Sequence, residues 1–181
     1  MRIVETPLKD CVVLKPKVFE DARGVFYEAY QKKRFDETIN RAIDFVQDNY
    51  SISQRGVLRG LHFQFGEHAQ AKLVQVVLGE VLDVIVDLRR ESKTFGRHFK
   101  LRLSDADKQI VFIPKGMAHG FLTLSEKAMF FYKCDAYYNA AAESGIMYAD
   151  NTLNIDWEYP SSQIILSKKD QGLPSFKELF P

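Results

Sequence analysis

The sequence predicts an all-β protein, an antiparallel barrel or double-sheet jelly roll, on three observations. Short runs with strand character recur at close intervals, bounded by Gly, Pro, Asn or Asp. One segment alone carries a clear helical period. Aromatic residues, which favour pleated sheet, are plentiful, with 14 Phe and 8 Tyr. At 181 residues the chain is expected to form one domain, residues 1–181, long enough to bury a sizeable core, and it shows no internal repeat or linker.

Between Cys11 and Tyr30 extended and turn character alternate, with Asp21-Ala-Arg-Gly24 a turn ahead of the apolar run Val25 to Tyr30. Lys32 to Phe45 is the helix candidate, because Phe35, Ile39 and Ile43 recur every four residues with charges between them. Phe45-Val-Gln-Asp-Asn49 then leads into the run from Arg55 to Gln75. There Val57, Leu58, Leu61 and Phe63 are strand formers, and Gly56, Gly60 and Gly66 punctuate them. The same run carries Arg59, His62 and Lys72. Two readings stand: a rigid wall of a wet cavity for an anionic ligand, or a satisfied core histidine with two cations turned to solvent.

Lys72 to Leu78, Gly79-Glu80 and Val81 to Leu88 predict a β-hairpin. In its second strand Leu82, Val84, Val86 and Leu88 share one face. Asp83 and Asp87 share the other with Val81 and Ile85, so that face is no plain core surface. Phe95-Gly96 turns into a strand from His98 to Leu103, and Asp105-Ala-Asp107 turns into Gln109 to Ile113. Pro114 to Gly120 reads as a loop that aims His119 toward a barrel mouth, followed by strands Phe121 to Leu124 and Ala128 to Tyr138. The C-terminal part holds several Asn/Asp turns and an apolar strand that runs into Lys169-Asp170.

Bulk properties narrow the function. The chain is 46% hydrophobic and 27% charged with net charge +1, which lacks the basic excess of a general nucleic-acid binder. Cys11 and Cys134 are too few and too far apart for a disulfide framework, and no Cys-x-x-Cys pair suggests zinc. The N-terminus shows no apolar signal region, and Asp83 and Asp87 break the longest apolar run, so no membrane partner and a cytoplasmic location are expected.

Three polar clusters carry candidate chemistry: Arg59, His62 and Lys72; Pro114-x-Gly-x-x-His119; and Lys169-Asp170. A histidine near a carboxylate and a tyrosine is a parts list for proton abstraction beside a carbonyl. For His119 alone, a hydrogen-bonded loop histidine is the competing reading. A metal centre is disfavoured, because His62-Phe-Gln64 places an amide where a second histidine ligand would stand. His68 and Glu67 lie in a Gly-adjacent loop as a solvent-facing pair. No metal or cofactor is expected.

The ordered set Arg55-Gly-Val-Leu-Arg-Gly-Leu-His-Phe-Gln64, Ala71-Lys-Leu-Val74, Phe112-Ile-Pro-Lys-Gly-Met-Ala-His-Gly-Phe121 and Tyr132-Lys-Cys resembles the dTDP-4-dehydrorhamnose 3,5-epimerase family. Phe45-Val-Gln-Asp-Asn49 and Leu166-Ser-Lys-Lys-Asp170 fit it too, so the resemblance covers nearly the whole chain. It implies a metal-free, cupin-like antiparallel jelly-roll barrel with a few short helices, a homodimer, and action on a dTDP-4-keto-6-deoxy sugar. The catalytic set it implies is His62 as base, Tyr132 as acid, Asp170 paired with the base, and Lys72 beside the keto oxygen. Arg23, Glu28, Gln47, Asn49, Arg59, His119, Glu143 and Lys169 fall at substrate-binding positions, and Tyr138 at the aromatic that stacks on thymine. Tyr50, Ala71 and Ser144 depart from the family pattern without removing a catalytic group, and Ser144 leaves open how Glu143 is held. Rival readings are a 3- or 5-epimerase acting at one centre, a ketoisomerase, or a non-catalytic cupin that binds a nucleotide sugar.

Overall fold

The computed structural model describes residues 1–181. In chain order the strands are β1 (Arg2–Glu5), β2 (Val12–Lys15), β3 (Val18–Asp21) and β4 (Gly24–Tyr27), then helix α1 (Lys32–Ile39). Next come β5 (Gln47–Gln54), β6 (Leu58–Gln64), β7 (Lys72–Leu78), β8 (Glu80–Asp87), β9 (His98–Ser104) and β10 (Ile110–Ile113). The chain closes with β11 (Met117–Thr123), β12 (Lys127–Cys134), β13 (Glu143–Gly145) and helices α2 (Lys168–Gln171) and α3 (Phe176–Leu179). A six-stranded sheet ordered β1-β2-β10-β7-β12-β5 faces a five-stranded sheet ordered β13-β6-β11-β8-β9, and β3 and β4 form a separate hairpin. Every ladder is antiparallel. This is the all-β, cupin-like jelly-roll architecture expected from the sequence.

Three apolar layers hold it together. Between the sheets, Val74, Val76 and Phe130 of the six-stranded sheet meet Val81, Ile85 and Phe121 of the five-stranded sheet. On the outer face of the five-stranded sheet, Leu82, Val84, Val86 and Leu88 pack under Ile146, Leu153, Trp157 and Phe176. The outer face of the other sheet buries Phe35 of α1 against Leu14, Leu73 and Phe112. The alternation read along β8 is therefore real, with one face toward each layer.

Five expectations differ from the observed fold. The hairpin of β7 and β8 does not form, because β7 already pairs with β10 and β12 on its two edges. No edge remains for β8, which crosses to the facing sheet between β9 and β11. Gly79 makes the crossing at φ +82°, and a Cβ there would lie 2.2 Å from the Lys127 carbonyl oxygen. The helix ends at Ile39 and not Phe45: Asn40 adopts the left-handed conformation, and the Asp36 carboxylate accepts from the Ile43 N–H beyond it.

His119 stands on a strand, not in a loop, because pairing of β11 with β8 begins at Met117. Asp170 stands on the short helix α2, not directly after a strand, because the Ser167 hydroxyl accepts from its N–H and caps that helix. β12 also stops at Cys134, short of Tyr138: the Asp135 carboxylate turns to the Ala71 N–H at 2.7 Å and the chain leaves the sheet. Cys11 and Cys134 are both free and buried, and no helix is long and apolar enough to cross a membrane.

Candidate active site

The run of cations that sequence reading singled out lines one cavity of about 570 Å³ between the two sheets. β6 supplies Arg59 and His62, β7 Lys72, β11 His119, β12 Tyr132, and α2 Lys169 and Asp170. A regular strand would not turn Arg59 and His62 the same way, since they are three positions apart and alternate positions face opposite sides. The ladder between β6 and β11 resolves this: Arg59 pairs with Phe121 and His62 with His119, so β6 carries one extra residue across the irregularity. Gly60 permits it, because a Cβ there would lie 2.5 Å from the Gly120 Cα, where the two strands nearly touch.

His62 Nε2 lies 2.6 Å from Asp170 Oδ1. Burial works against ionisation of Asp170, but hydrogen bonds from His62, Ser167 and the Gly60 backbone prevail and hold its carboxyl below the usual range. The carboxylate thereby fixes the ring of a histidine that is itself partly open to the cavity. Tyr132 stands on the facing sheet, and burial pushes its phenol above the ordinary value. Lys72 places its ammonium 6.0 Å from the Tyr132 ring centroid, and burial pulls its pKa down. Arg59 is steadied by Nε donating to Ser53 Oγ at 3.0 Å. His119 Nε2 lies 2.7 Å from Asp83 Oδ1, and its ring stacks on Phe130.

His62, Lys72 and Tyr132 also wall a smaller chamber, of about 130 Å³, with Gln47, Tyr138 and Glu143. Here Glu143 accepts from Lys169 and, at 2.7 Å, from the Tyr138 hydroxyl. Burial disfavours the Glu143 anion, yet those two donors hold its carboxyl below the usual range. Ser144 therefore does not leave Glu143 unsupported, because Lys169 and Tyr138 hold it from α2 and from the loop after β12. Gln47 receives the Tyr138 N–H and donates to Asn49, which in turn reaches Cys134 Sγ. Gln64 is buried and fully engaged, donating to the His68 and Tyr137 carbonyls and accepting from the Asn139 N–H. No three His, Cys, Asp or Glu side chains gather as a ligand set. Of the anticipated solvent-facing pair, Glu67 is 90% exposed, but His68 is only partly exposed and its Nε2 lies 3.0 Å from Asn139 Nδ2 and 3.8 Å from Glu67.

Two expected site residues stand apart. Arg23, at the tip of the β3–β4 hairpin, has a 90% exposed side chain bound to Asp21. Glu28 pairs with Arg34 and lines a separate cavity of about 730 Å³ with Phe19, Phe26 and Tyr30. Tyr50 belongs to both cavities and marks where they adjoin. Four residues were missed from sequence. Ser51, whose buried hydroxyl has no partner, Ser53 and Ser167 carry no signal beyond being small and polar. Asp83 did carry one, a charge on an apolar strand face.

Residues 5–178 match the sequence model of the dTDP-4-dehydrorhamnose 3,5-epimerase family. The chain is 49% identical to the dTDP-4-dehydrorhamnose 3,5-epimerase of Salmonella typhimurium, over 96% of this chain and 94% of that one. The crystal structure of the enzyme of that name from Elizabethkingia anophelis is 52% identical and superposes with a TM-score of 0.95, covering 98% and 97% of the two chains. The dTDP-6-deoxy-D-glucose-3,5-epimerase of Legionella pneumophila, in complex with dTDP-4-keto-L-rhamnose, is 45% identical with a TM-score of 0.93, over 97% and 93%.

Proposed function

The chain belongs to the dTDP-4-dehydrorhamnose 3,5-epimerase family, and from that premise we infer that it inverts C3 and C5 of dTDP-4-dehydro-6-deoxy-D-glucose to give dTDP-4-dehydro-L-rhamnose, a step of dTDP-L-rhamnose biosynthesis. The observation that carries this reading is the His62–Asp170 pair on one side of the cavity and Tyr132 on the facing sheet, with Lys72 beside the tyrosine. The protons at C3 and C5 flank the 4-keto group, so removing either one gives an enolate. His62 takes the proton, and Asp170 stabilises the imidazolium that forms. Charge develops on the keto oxygen, where Lys72 lowers the barrier more than it tightens ground-state binding. Tyr132 returns a proton to the opposite face, and its raised pKa keeps the phenol charged with that proton until it is needed. Facing sheets pack roughly 10 Å apart, room for a sugar ring between base and acid. Each inversion leaves the oxidation state unchanged, so the scheme draws on no redox cofactor, and the positive charge at the keto oxygen is supplied by Lys72.

In this reading Arg59 and Lys169 meet the diphosphate, which suits Arg59's fork of donors, and His119 lines the same wall. Tyr138 stacks on thymine, with Gln47, Asn49 and Glu143 around it. The assembly is a homodimer. Phe19, Phe26, Tyr50 and Ile52 leave an apolar surface at least half exposed, which a second copy would cover. The hairpin that carries Arg23 would then extend toward the partner's cavity, and Glu28 with it, which accounts for their distance from their own.

Incubation with the 4-keto sugar nucleotide in deuterated water tests the activity. Deuterium is expected at both C3 and C5 with inverted product by NMR. Tyr132→Phe should still wash deuterium into the starting sugar while making little inverted product. Exchange at one carbon would shift the reading to a 3- or 5-epimerase, a migrated ketone to a ketoisomerase, and no exchange at all to a binding protein.

A further inference from the structure

The loop between β12 and β13, residues 135–142, carries Tyr138 and leads into Glu143. Ala136, Tyr137 and Tyr138 form no hydrogen bond with any other main-chain group. Glutamine side chains take that role. Gln70 Nε2 donates to the Ala136 carbonyl at 2.8 Å, and Gln64 Nε2 to the Tyr137 carbonyl at 3.2 Å. Gln47 Oε1 accepts from the Tyr138 N–H at 2.9 Å, and Gln64 Oε1 from the Asn139 N–H at 2.7 Å. Four successive residues are thus held by glutamines from β5, from β6 and from the segment ahead of β7.

Gln64 is the centre of this arrangement. It is 6% exposed, and it alone engages the loop through both ends of its amide. It also donates to the His68 carbonyl at 2.7 Å, which ties the segment after β6 to the same point. Two carbonyls need donors and one N–H needs an acceptor, and among side chains only a carboxamide offers that set without a charge. The Gln64 main chain meanwhile pairs with Glu143 in the ladder between β6 and β13, and Glu143 accepts from the Tyr138 hydroxyl. Tyr138 is therefore fixed at both ends from one residue, its backbone through the Gln64 amide and its hydroxyl through the ladder partner of Gln64. The tyrosine is 56% exposed, so burial contributes little to holding it.

We propose that Gln64 is a positioning residue for ligand recognition, which with Gln47 and Gln70 holds the Tyr138 loop in its binding geometry before a ligand arrives. A loop ordered only by its ligand would subtract that ordering from the affinity, and a loop already ordered does not. What stacks on Tyr138 rests on the sugar-nucleotide reading above; the order of the loop is a property of the ligand-free protein. A stacking contact made alike in ground state and transition state acts on KM and leaves kcat almost unchanged.

The first measurement needs no variant. In ligand-free wild-type protein the main-chain amides of Tyr138 and Asn139 should already exchange slowly with deuterated water. Exchange at the rate of an unstructured peptide, slowed only when dTDP is added, overturns the proposal. Gln64→Met keeps the length of the side chain and removes its hydrogen bonds. It should expose both amides to exchange, weaken dTDP binding and raise KM by roughly 5- to 10-fold, the worth of about one neutral hydrogen bond, with a smaller change in kcat. The Gln64→Met, Tyr138→Ala double variant should bind dTDP no worse than Tyr138→Ala alone, because both changes remove the same contact. Losses that add, or a folded Gln64→Met protein that binds dTDP as tightly as wild type, overturn the proposal. A failure of the sugar-nucleotide reading shows separately, as wild-type protein that binds no dTDP, and amide exchange in that protein still decides whether the loop is held in advance.

Discussion

His62 and Asp170 are 108 residues apart in sequence and 2.6 Å apart in space, and their contact decides what the histidine can do. A free imidazole would rotate between orientations, whereas one held by a buried carboxylate presents a single nitrogen to the ligand. If the pair acts as one unit, His62→Asn should cost turnover by a factor of about 10² or more, and Asp170→Asn nearly as much. The double variant should then be little worse than either single one. Steady-state kinetics on all three proteins would decide it, and losses that multiply would break the unit apart. The same scale explains why residue type was readable while residue pairing was not. Arginine, histidine and lysine on a strand advertise a ligand. Nothing local to Arg59 announces Ser53, and nothing local to His119 announces Asp83.

Among the elements, β8 carries the most structural work. Its two faces serve two apolar layers, and its charges are each given a partner. At its end the buried Asp87 accepts from Arg89 through both carboxylate oxygens, and from the hydroxyls of Ser92 and Thr94 at 2.6 Å. Arg89 continues to Asp10 and the Lys9 carbonyl, which ties the β8–β9 connection to the N-terminal segment. Burial alone would raise the Asp87 pKa, but these donors prevail and set it at about 2, against an ordinary 3.8. Because the folded value lies below the unfolded one, the clasp contributes fully above the ordinary value and is lost as pH falls toward the folded one. A shift of this size corresponds to about 2 kcal/mol. Asp87→Asn should lower stability at neutral pH by that order and flatten the acid loss across that window. Urea unfolding of both proteins as a function of pH measures it. Parallel acid limbs would mean that Asp87 is not what titrates.

At the scale of the whole molecule, the expected binding residue Arg23 lies on an element outside both large sheets, and Glu28 follows directly after it. The hairpin of β3 and β4 packs in neither large sheet, and its Phe26 is 71% exposed. A homodimer in which this hairpin serves the neighbouring cavity makes a sharp forecast. Arg23→Ala and His62→Asn should each be impaired alone. After mixing and subunit exchange, the heterodimer contains one site with both groups intact, so activity should return. Mixed proteins as inactive as their parents, with exchange confirmed by mass spectrometry, would place Arg23 outside the partner's site.

Patterns set by near neighbours were legible in the chain. The alternation along β8, the apolar period of α1, the turn at Asp21 to Gly24 and the strand character of the Arg55 to Gln75 run all depend on a few consecutive side chains. The ordered motifs extended that reading to a family, and with it to the residues of the site. Relations between distant segments were not legible. The occupied edges of β7 sent β8 into the other sheet, pairing with β8 drew His119 onto a strand, and the extra residue in β6 turned Arg59 and His62 the same way. The reason is physical: a strand's faces follow from its own alternation, but its neighbours, its register and the counter-charge beneath it are settled by which segments compete for the same edge and the same buried space.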